Sequence, residues 1–348
     1  MLKEGFSKAL LKWHFENARV FPWRGETDAY RIWLSEIMLQ QTRTETVKGY
    51  YLRFLAAFPD VYSLAEADES RVLKMWEGLG YYSRARNLLK AARIVAFEMN
   101  GKFPDTADAL KKLPGIGDYV AGAVSSIAFN RREPALDGNQ ARVISRIYNV
   151  KDVIKTPAYL RAKALLLMPD TDFGEYNQAL MGLGAMICIS GRPKCEACPV
   201  REYCDAYLYG NPSELPVKMG KNARKIERRA IALVFSKSGV LMRKRTDPLL
   251  EGMWEFPGFT DAKSAEDVKA CLEEMGVYAS YQGKAPNHKH VFTHLEWHMT
   301  GYRFTLESGG EEYAYLTAED IKNKAVPTAL KPYREEAIRI IEEKENEA

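Results

Sequence analysis

The chain has 348 residues, with 50 Lys+Arg against 46 Asp+Glu, a formal net charge of +4, 46% hydrophobic and 28% charged residues. That balance excludes a disordered or fibrous chain, and the length leaves room for two domains with separate cores. No run reaches the roughly 20 apolar residues of a membrane span. The N-terminal MLKEGFSKALLKWHF carries charges every few residues and no small-residue cleavage site, so it does not read as a secretory signal.

From residue 2 to about 209, apolar residues recur at spacings of three and four in 29–42, 70–76, 83–99 and 119–129, which predicts an all-helical half. Thr27 or Asp28 opens the first of these helices, and Asp105 or Thr106 opens one that ends before Leu113-Pro114-Gly115. In Leu113-Pro114-Gly115-Ile116-Gly117 the two glycines permit a turn whose outward N–H groups make a nest for a phosphate, and Gly115 and Gly117 present no Cβ to an approaching backbone. Taken alone, the pattern is equally a tight helix-helix turn. Lys111 and Lys112 precede it as phosphate contacts or solvated side chains. About twenty residues on, Leu136-Asp137-Gly138-Asn139 puts a carboxylate ahead of a helical run, 140–148, where a lone Asp is most often an N-cap.

Four of the five cysteines fall in Cys188-x6-Cys195-x2-Cys198-x5-Cys204. Thiolates hold soft metals, and uneven gaps suit the wide cube of a 4Fe-4S cluster. Structural zinc favours two tight C-x2-C pairs, and only Cys195/Cys198 forms one. Disulfides would want a secreted chain; four clustered thiols with Cys271 left over fit a reducing compartment, the cytoplasm. Residues 211–229 hold six Lys/Arg against two acids, two prolines and little periodicity, and read as a basic interdomain linker, lying against something negative or merely solvated. Beyond it come β-rich runs at 230–235, 240–243 and 290–306 with one helical stretch at 264–275, which predicts a separate α+β domain.

Hairpin, Asp137 and four-cysteine array together resemble the helix-hairpin-helix DNA glycosylases of the endonuclease III superfamily. Phe21-Pro22-Trp23-Arg24, Trp33-Leu34-Ser35-Glu36-Ile37-Met38-Leu39-Gln40-Gln41-Thr42 and Gly78-Leu79-Gly80-Tyr81-Tyr82-Ser83-Arg84-Ala85-Arg86-Asn87 narrow the resemblance to the MutY-type adenine DNA glycosylases, over nearly the whole chain. The resemblance implies a multidomain fold: an all-α helix-hairpin-helix glycosylase domain with an iron-sulfur cluster loop in 1–210, the linker, and an α+β Nudix-like domain for 8-oxoguanine recognition in 230–348. It further implies an enzyme that flips adenine mispaired with 8-oxoguanine or guanine out of double-stranded DNA and hydrolyses its N-glycosidic bond in base excision repair. A 4Fe-4S cluster on Cys188, Cys195, Cys198 and Cys204, a monomer and a cytoplasmic, nucleoid-associated location complete the expectation.

Breaking a purine glycosidic bond wants an acid for the base and a carboxylate for the cationic sugar. Glu36, amid Trp33, Ile37 and Leu39, is placed to stay protonated and donate to adenine N7, while Asp137 stays ionised. Lyases of the superfamily carry a lysine two residues after the second hairpin glycine; Tyr119 stands there, which implies base removal without strand cleavage. By resemblance Tyr119 and Asn139 orient the catalytic pair, and Arg24, Gln41, Thr42, Leu79, Tyr81 and Gln178 surround the base pair, Gln41 reaching base edges and Tyr81 acting as a wedge. Gly78 and Gly80 favour an exposed loop for Leu79 and Tyr81 over a core turn.

In the second half, Arg243-Lys244-Arg245 and Met253-Trp254-Glu255-Phe256-Pro257-Gly258 match the Nudix-like domain. The helix 268–276 keeps Glu273-Glu274 but has Lys269-Ala270 where a Nudix box has Arg-Glu, so the domain is expected to bind without hydrolysing. Phe292-Thr293-His294 aligns with the 8-oxoguanine-reading loop, with Thr in place of the frequent Ser, and Gln140 stands where many relatives have Val. The histidines of 288–298 also suit zinc. Competing functions are a bifunctional pyrimidine glycosylase/lyase and a non-enzymatic iron-sulfur DNA-binding protein.

Overall fold

The computed structural model describes residues 2–151, 157–217, 223–260 and 262–347. Contacts divide the chain into two compact units, Met1–Ala67 with Asn87–Gly220 and Asp68–Arg86 with Lys221–Ala348. The segment 68–86, which the sequence reading places with the helical half, therefore clusters with the C-terminal unit. Lys74 and Glu77 bind the 322–334 region there, and Arg86 bonds the Glu251 carbonyl. Of the expected linker, 218–222 lie outside the described residues, and 225–229 are already strand.

The first unit is helical, as expected. Its helix Ala29–Leu39 is apolar around its whole circumference, so Ile32 through Met38 are buried, Glu36 among them. Asp28, not Thr27, caps it, its Oδ1 accepting from Tyr30 N at 2.8 Å and Arg31 N at 3.2 Å. Thr106, not Asp105, caps Ala107–Leu110, because Asp105 is taken by Arg131. Phe6, Leu10, Val143, Ile144, Tyr176, Leu180 and Leu183 form a core joining helices Leu2–Asn17, Gly138–Ile147 and Phe173–Met186.

The second unit is a twisted sheet between helices. Strands β1 (Lys225–Ser236), β2 (Gly239–Lys244), β3 (Trp254–Glu255), β4 (Gly258–Phe259), β5 (Val277–Val291), β6 (Leu295–Gly309) and β7 (Ala314–Leu316) run in the order β3-β2-β1-β6-β5, with β4 on β1 and β7 on β2. β1 and β6 are parallel and the other pairings antiparallel. Alternation along β1 sends Ile231, Leu233 and Phe235 into a core with Trp297, Tyr333 and Ala337, and Ala230, Ala232 and Val234 into another with Val268 and Leu272. The first face thus meets helix Lys331–Glu347 and the second meets Ala265–Glu274, which opens on the Ser264/Asp267 capping box.

Two sequence expectations change here. The single run 290–306 is two strands of a hairpin, with 292–294 in the turn and Phe292 N donating to Leu295 O at 2.8 Å. Apolar alternation continues on both sides of that turn, which hid it. Helices Ala318–Asn323 and Lys331–Glu347 were not anticipated; the first is announced only by the Thr317/Asp320 capping box. Among the described residues, no helix is long and apolar enough to cross a membrane.

Candidate active site

Gly138–Ile147 begins at Asp137, whose backbone is extended and whose Oδ1 accepts from Gln140 N at 2.6 Å. Asn139 Nδ2 donates to Asp137 Oδ2 at 2.9 Å. The N-cap reading and the functional reading therefore coincide: capping fixes the carboxylate at the positive end of a helix. Burial pushes the Asp137 pKa above the usual carboxylate value, and these bonds work against that push.

Asp137 shares an open cleft with Leu39, Gln41, Tyr119, Asn139 and Arg142. Behind that cleft lies Glu36, 5% exposed, which accepts a bond from the Tyr119 hydroxyl. Desolvation raises the Glu36 pKa to about 6, the Tyr119 bond and Arg24 pull it down, and Asp137 pushes it up. The Tyr119 pKa is itself raised far above normal by burial, so the phenol keeps its proton and remains a donor. Glu36 and Asp137 thus sit close enough to sense one another's charge in two different environments: Glu36 in an apolar helix interior with one phenol donor, Asp137 on a cap with two N–H donors. Such a pair separates acid and base roles.

Arg24 is largely buried near Glu36 and Glu175, and burial lowers its pKa. Glu175 is tied to His14 at 3.2 Å. Gln178 is buried on helix Phe173–Met186. Gln41 follows the Glu36 helix at φ 55, exposed, and Thr42 Oγ1 bonds Gln40 O at 3.3 Å. In the hairpin, Gly115 has φ +78, and a Cβ there would lie 2.7 Å from Asn87 Cβ, whereas a Cβ on Gly117 would meet nothing within 4 Å. Gly115 is required by the turn; Gly117 leaves open space at the start of helix Asp118–Phe129, where an anion is favoured. Lys111 is already paired with Asp108 and Asp118.

In the second unit Tyr81 is 42% exposed but Leu79 only 5%. The exposed-loop expectation thus holds for Tyr81 and fails for Leu79, which turns inward between the two glycines. The Tyr81 and Thr293 hydroxyls are hydrogen-bonded to each other. Both line a cavity with Tyr82, Arg86, Phe292 and His294. Phe292 packs edge-on to Trp297 at 4.8 Å and to His290 at 4.6 Å, which holds the 292–294 turn against the sheet.

Cys188, Cys195, Cys198 and Cys204 line one cavity. Burial pushes the Cys198 thiol up to about 12 and Cys204 to about 11. Arg146, 1% exposed, donates from Nη1 to Cys188 Sγ at 3.2 Å and from Nε to Leu215 O at 3.0 Å. Four soft donors around one apolar cavity with a guanidinium alongside fit a thiolate-bound cluster: buried thiolates need a cationic core, and the residual negative charge finds Arg146. Among the described residues, no group of three or more His, Cys, Asp or Glu converges on a single-ion site.

Sequence reasoning missed two arginines. Arg142 Nη2 donates to Asn139 Oδ1 at 2.8 Å and its Nε to Cys188 O at 2.8 Å. With Arg146 it faces the cysteine segment from the helix that Asp137 caps; their spacing of four was the available signal. Gln140 is also buried, its Nε2 donating to Asn177 O at 3.1 Å and Asn177 Oδ1 at 3.2 Å, while its Oε1 finds no partner.

Residues 34–169 match the HhH-GPD superfamily base excision DNA repair protein model, and residues 230–336 match the NUDIX domain model. The Mus musculus adenine DNA glycosylase is 33% identical over 94% of this chain and 76% of its own length. That of Buchnera aphidicola subsp. Acyrthosiphon pisum is 32% identical over 86% of each. Among solved structures, a thermostable thymine-DNA glycosylase matches 60% of this chain and 97% of its own at 30% identity and a TM-score of 0.55. On these relatives and this site, the chain belongs to the adenine DNA glycosylase family, the DNA N-glycosylases that remove adenine in base excision repair.

Proposed function

We propose that this adenine DNA glycosylase acts on adenine opposite 8-oxoguanine or guanine, removes the base without cutting the strand, and carries a 4Fe-4S cluster on its four clustered cysteines. The observation that carries the chemistry is the Glu36/Tyr119/Asp137 arrangement: a carboxyl held partly protonated by burial, a phenol donating to it, and a capped carboxylate close by.

In this reading Glu36 delivers its proton to the purine, so the base leaves neutral rather than as an anion. Asp137 faces the oxocarbenium ion that develops on the sugar, and Asn139 and Gln140 N hold its carboxylate in place. Tyr119 keeps the Glu36 carboxyl in register; a phenol there gives no amine to form a Schiff base, so the abasic strand stays intact. Arg24 and Gln178 stand beside the acid to position the base, and Gln41, Thr42, Gly115 and Gly117 are the expected DNA contacts. Phe292, Thr293 and His294 would read the opposite base. When bound, the cluster would supply a rigid anchor for the segment 188–204, which Arg142 and Arg146 tie back to the Asp137 helix.

The test is single-turnover cleavage of a duplex carrying adenine opposite 8-oxoguanine, each time point divided between hot alkali and a mild neutral quench. Breaks only after alkali are expected. Breaks without alkali would mean a lyase nucleophile, and none in either sample would remove the assignment. Iron content and visible absorption, lost in Cys198→Ser, test the cluster separately.

A further inference from the structure

The loop 78–81 carries three left-handed residues in four: Gly78 at φ 100, Gly80 at φ 72 and Tyr81 at φ 48. Glycine tolerates this; a tyrosine does so only where its surroundings over-determine it. Those surroundings centre on Arg84, one turn further on in the helix Ser83–Arg93 and only 9% exposed. Its Nη2 donates to both Leu79 O and Gly80 O at 3.1 Å. Its guanidinium carbon lies 5.2 Å from the Trp76 ring centroid and 5.7 Å from that of Tyr81. Trp76 Nε1 donates to the same Gly80 carbonyl at 3.1 Å, and Tyr82 Oη accepts from Gly78 N at 3.1 Å.

We infer that Arg84 is a positioning residue for base displacement: it clamps the carbonyls behind Tyr81 and backs its ring, so that the tyrosine enters the duplex as a stiff wedge. This rests on the reading of Tyr81 as that wedge. Displacing a stacked base costs several stacking contacts, and a loop that yields under that load transmits none of the binding energy to the base. Only a planar fork captures two successive carbonyls while presenting flat faces to two rings, which a lysine ammonium cannot do. Burial also lowers the Arg84 pKa, to about 10, which leaves it charged at neutral pH.

The experiment compares Arg84→Lys, Arg84→Gln and Tyr81→Ala with the unaltered chain in single-turnover excision. One duplex carries adenine mispaired with 8-oxoguanine; the other carries adenine opposite an abasic analogue, where the stacking to be broken is already weakened. A 2-aminopurine in place of adenine reports extrusion by its fluorescence rise. Loss of hydrogen bonds to a charged group predicts slowing on the order of tenfold or more on the mispaired duplex. The fluorescence rise should be delayed to match, with excision opposite the abasic analogue unchanged within about threefold. Equal slowing on both duplexes, no slowing in Arg84→Lys, or failure of Arg84→Lys to fold would overturn the inference. If Tyr81→Ala leaves the mispaired duplex unaffected, the wedge reading falls; if Tyr81→Ala slows it and the Arg84 variants do not, the Arg84 inference falls alone.

Discussion

Replacing Glu36 by Gln should abolish base excision and yet stabilise the protein, by an amount that depends on pH. The Glu36 carboxyl titrates near 6 in the folded chain against an ordinary 4.5, because burial opposes its charge more than Tyr119 and Arg24 favour it. A raised folded pKa on an acid means that folding is most favoured while the group is neutral, below the unfolded value, and loses that favour as pH rises through the folded one. The loss is complete above about pH 6 and equals about 1.5 pKa units, or about 2 kcal/mol at 1.36 kcal/mol per unit. Gln keeps the volume and an oxygen for the Tyr119 hydroxyl but carries no charge to desolvate. Calorimetric melting of both chains at pH 4.5 and pH 8 should therefore show little difference at the lower pH. At the higher one Glu36→Gln should melt roughly 4–8 °C above the unaltered chain, taking roughly 2–4 °C per kcal/mol for a unit of this size. A variant destabilised at pH 8, or a difference that is the same at both pH values, would show that the Glu36 site does not penalise the carboxylate as described.

Tyr119→Phe removes a bond that favours the ionised Glu36, so the alkaline limb of the single-turnover pH profile should move above its position in the unaltered enzyme; an unmoved limb would detach Tyr119 from the acid. Thr293→Ala should weaken the preference for 8-oxoguanine over guanine opposite adenine more than it slows chemistry, and combined with Tyr81→Phe its effect should be less than additive, because the two hydroxyls bond each other; additive losses would mean that they act separately. Gln140→Val removes a buried carbonyl oxygen that has no partner, so chemical denaturation should shift by no more than about 1 kcal/mol and excision by no more than a few fold; a large loss would give the Gln140–Asn177 bonds a larger part than their geometry suggests. DNA affinity should fall steeply as salt rises, since neutralised phosphates release counterions, and a flat response would remove the proposed backbone contacts.

The sequence by itself determined the chemistry and the helical half. An apolar run on every side of Ala29–Leu39 dictates burial of whatever carboxylate it contains, so an acid at Glu36 with a raised pKa was legible from Trp33, Ile37 and Leu39 alone. Asp137 before Gly138-Asn139 and the four cysteines were equally legible, because capping and metal ligation depend on residue type and short spacing. Tertiary structure decided what depends on contacts between distant segments. Periodicity could not show that 290–306 bends at 292–294, since apolar residues alternate through both strands, nor that 68–86 clusters with the C-terminal unit through Lys74, Glu77 and Arg86. The same limit hid the inward turn of Leu79, the bond between Tyr81 and Thr293 and the reach of Arg142 from Asn139 to Cys188. Local spacing encodes which face of a helix or strand is apolar; it holds no information on which remote backbone carbonyl or hydroxyl will meet that face once the chain has closed on itself.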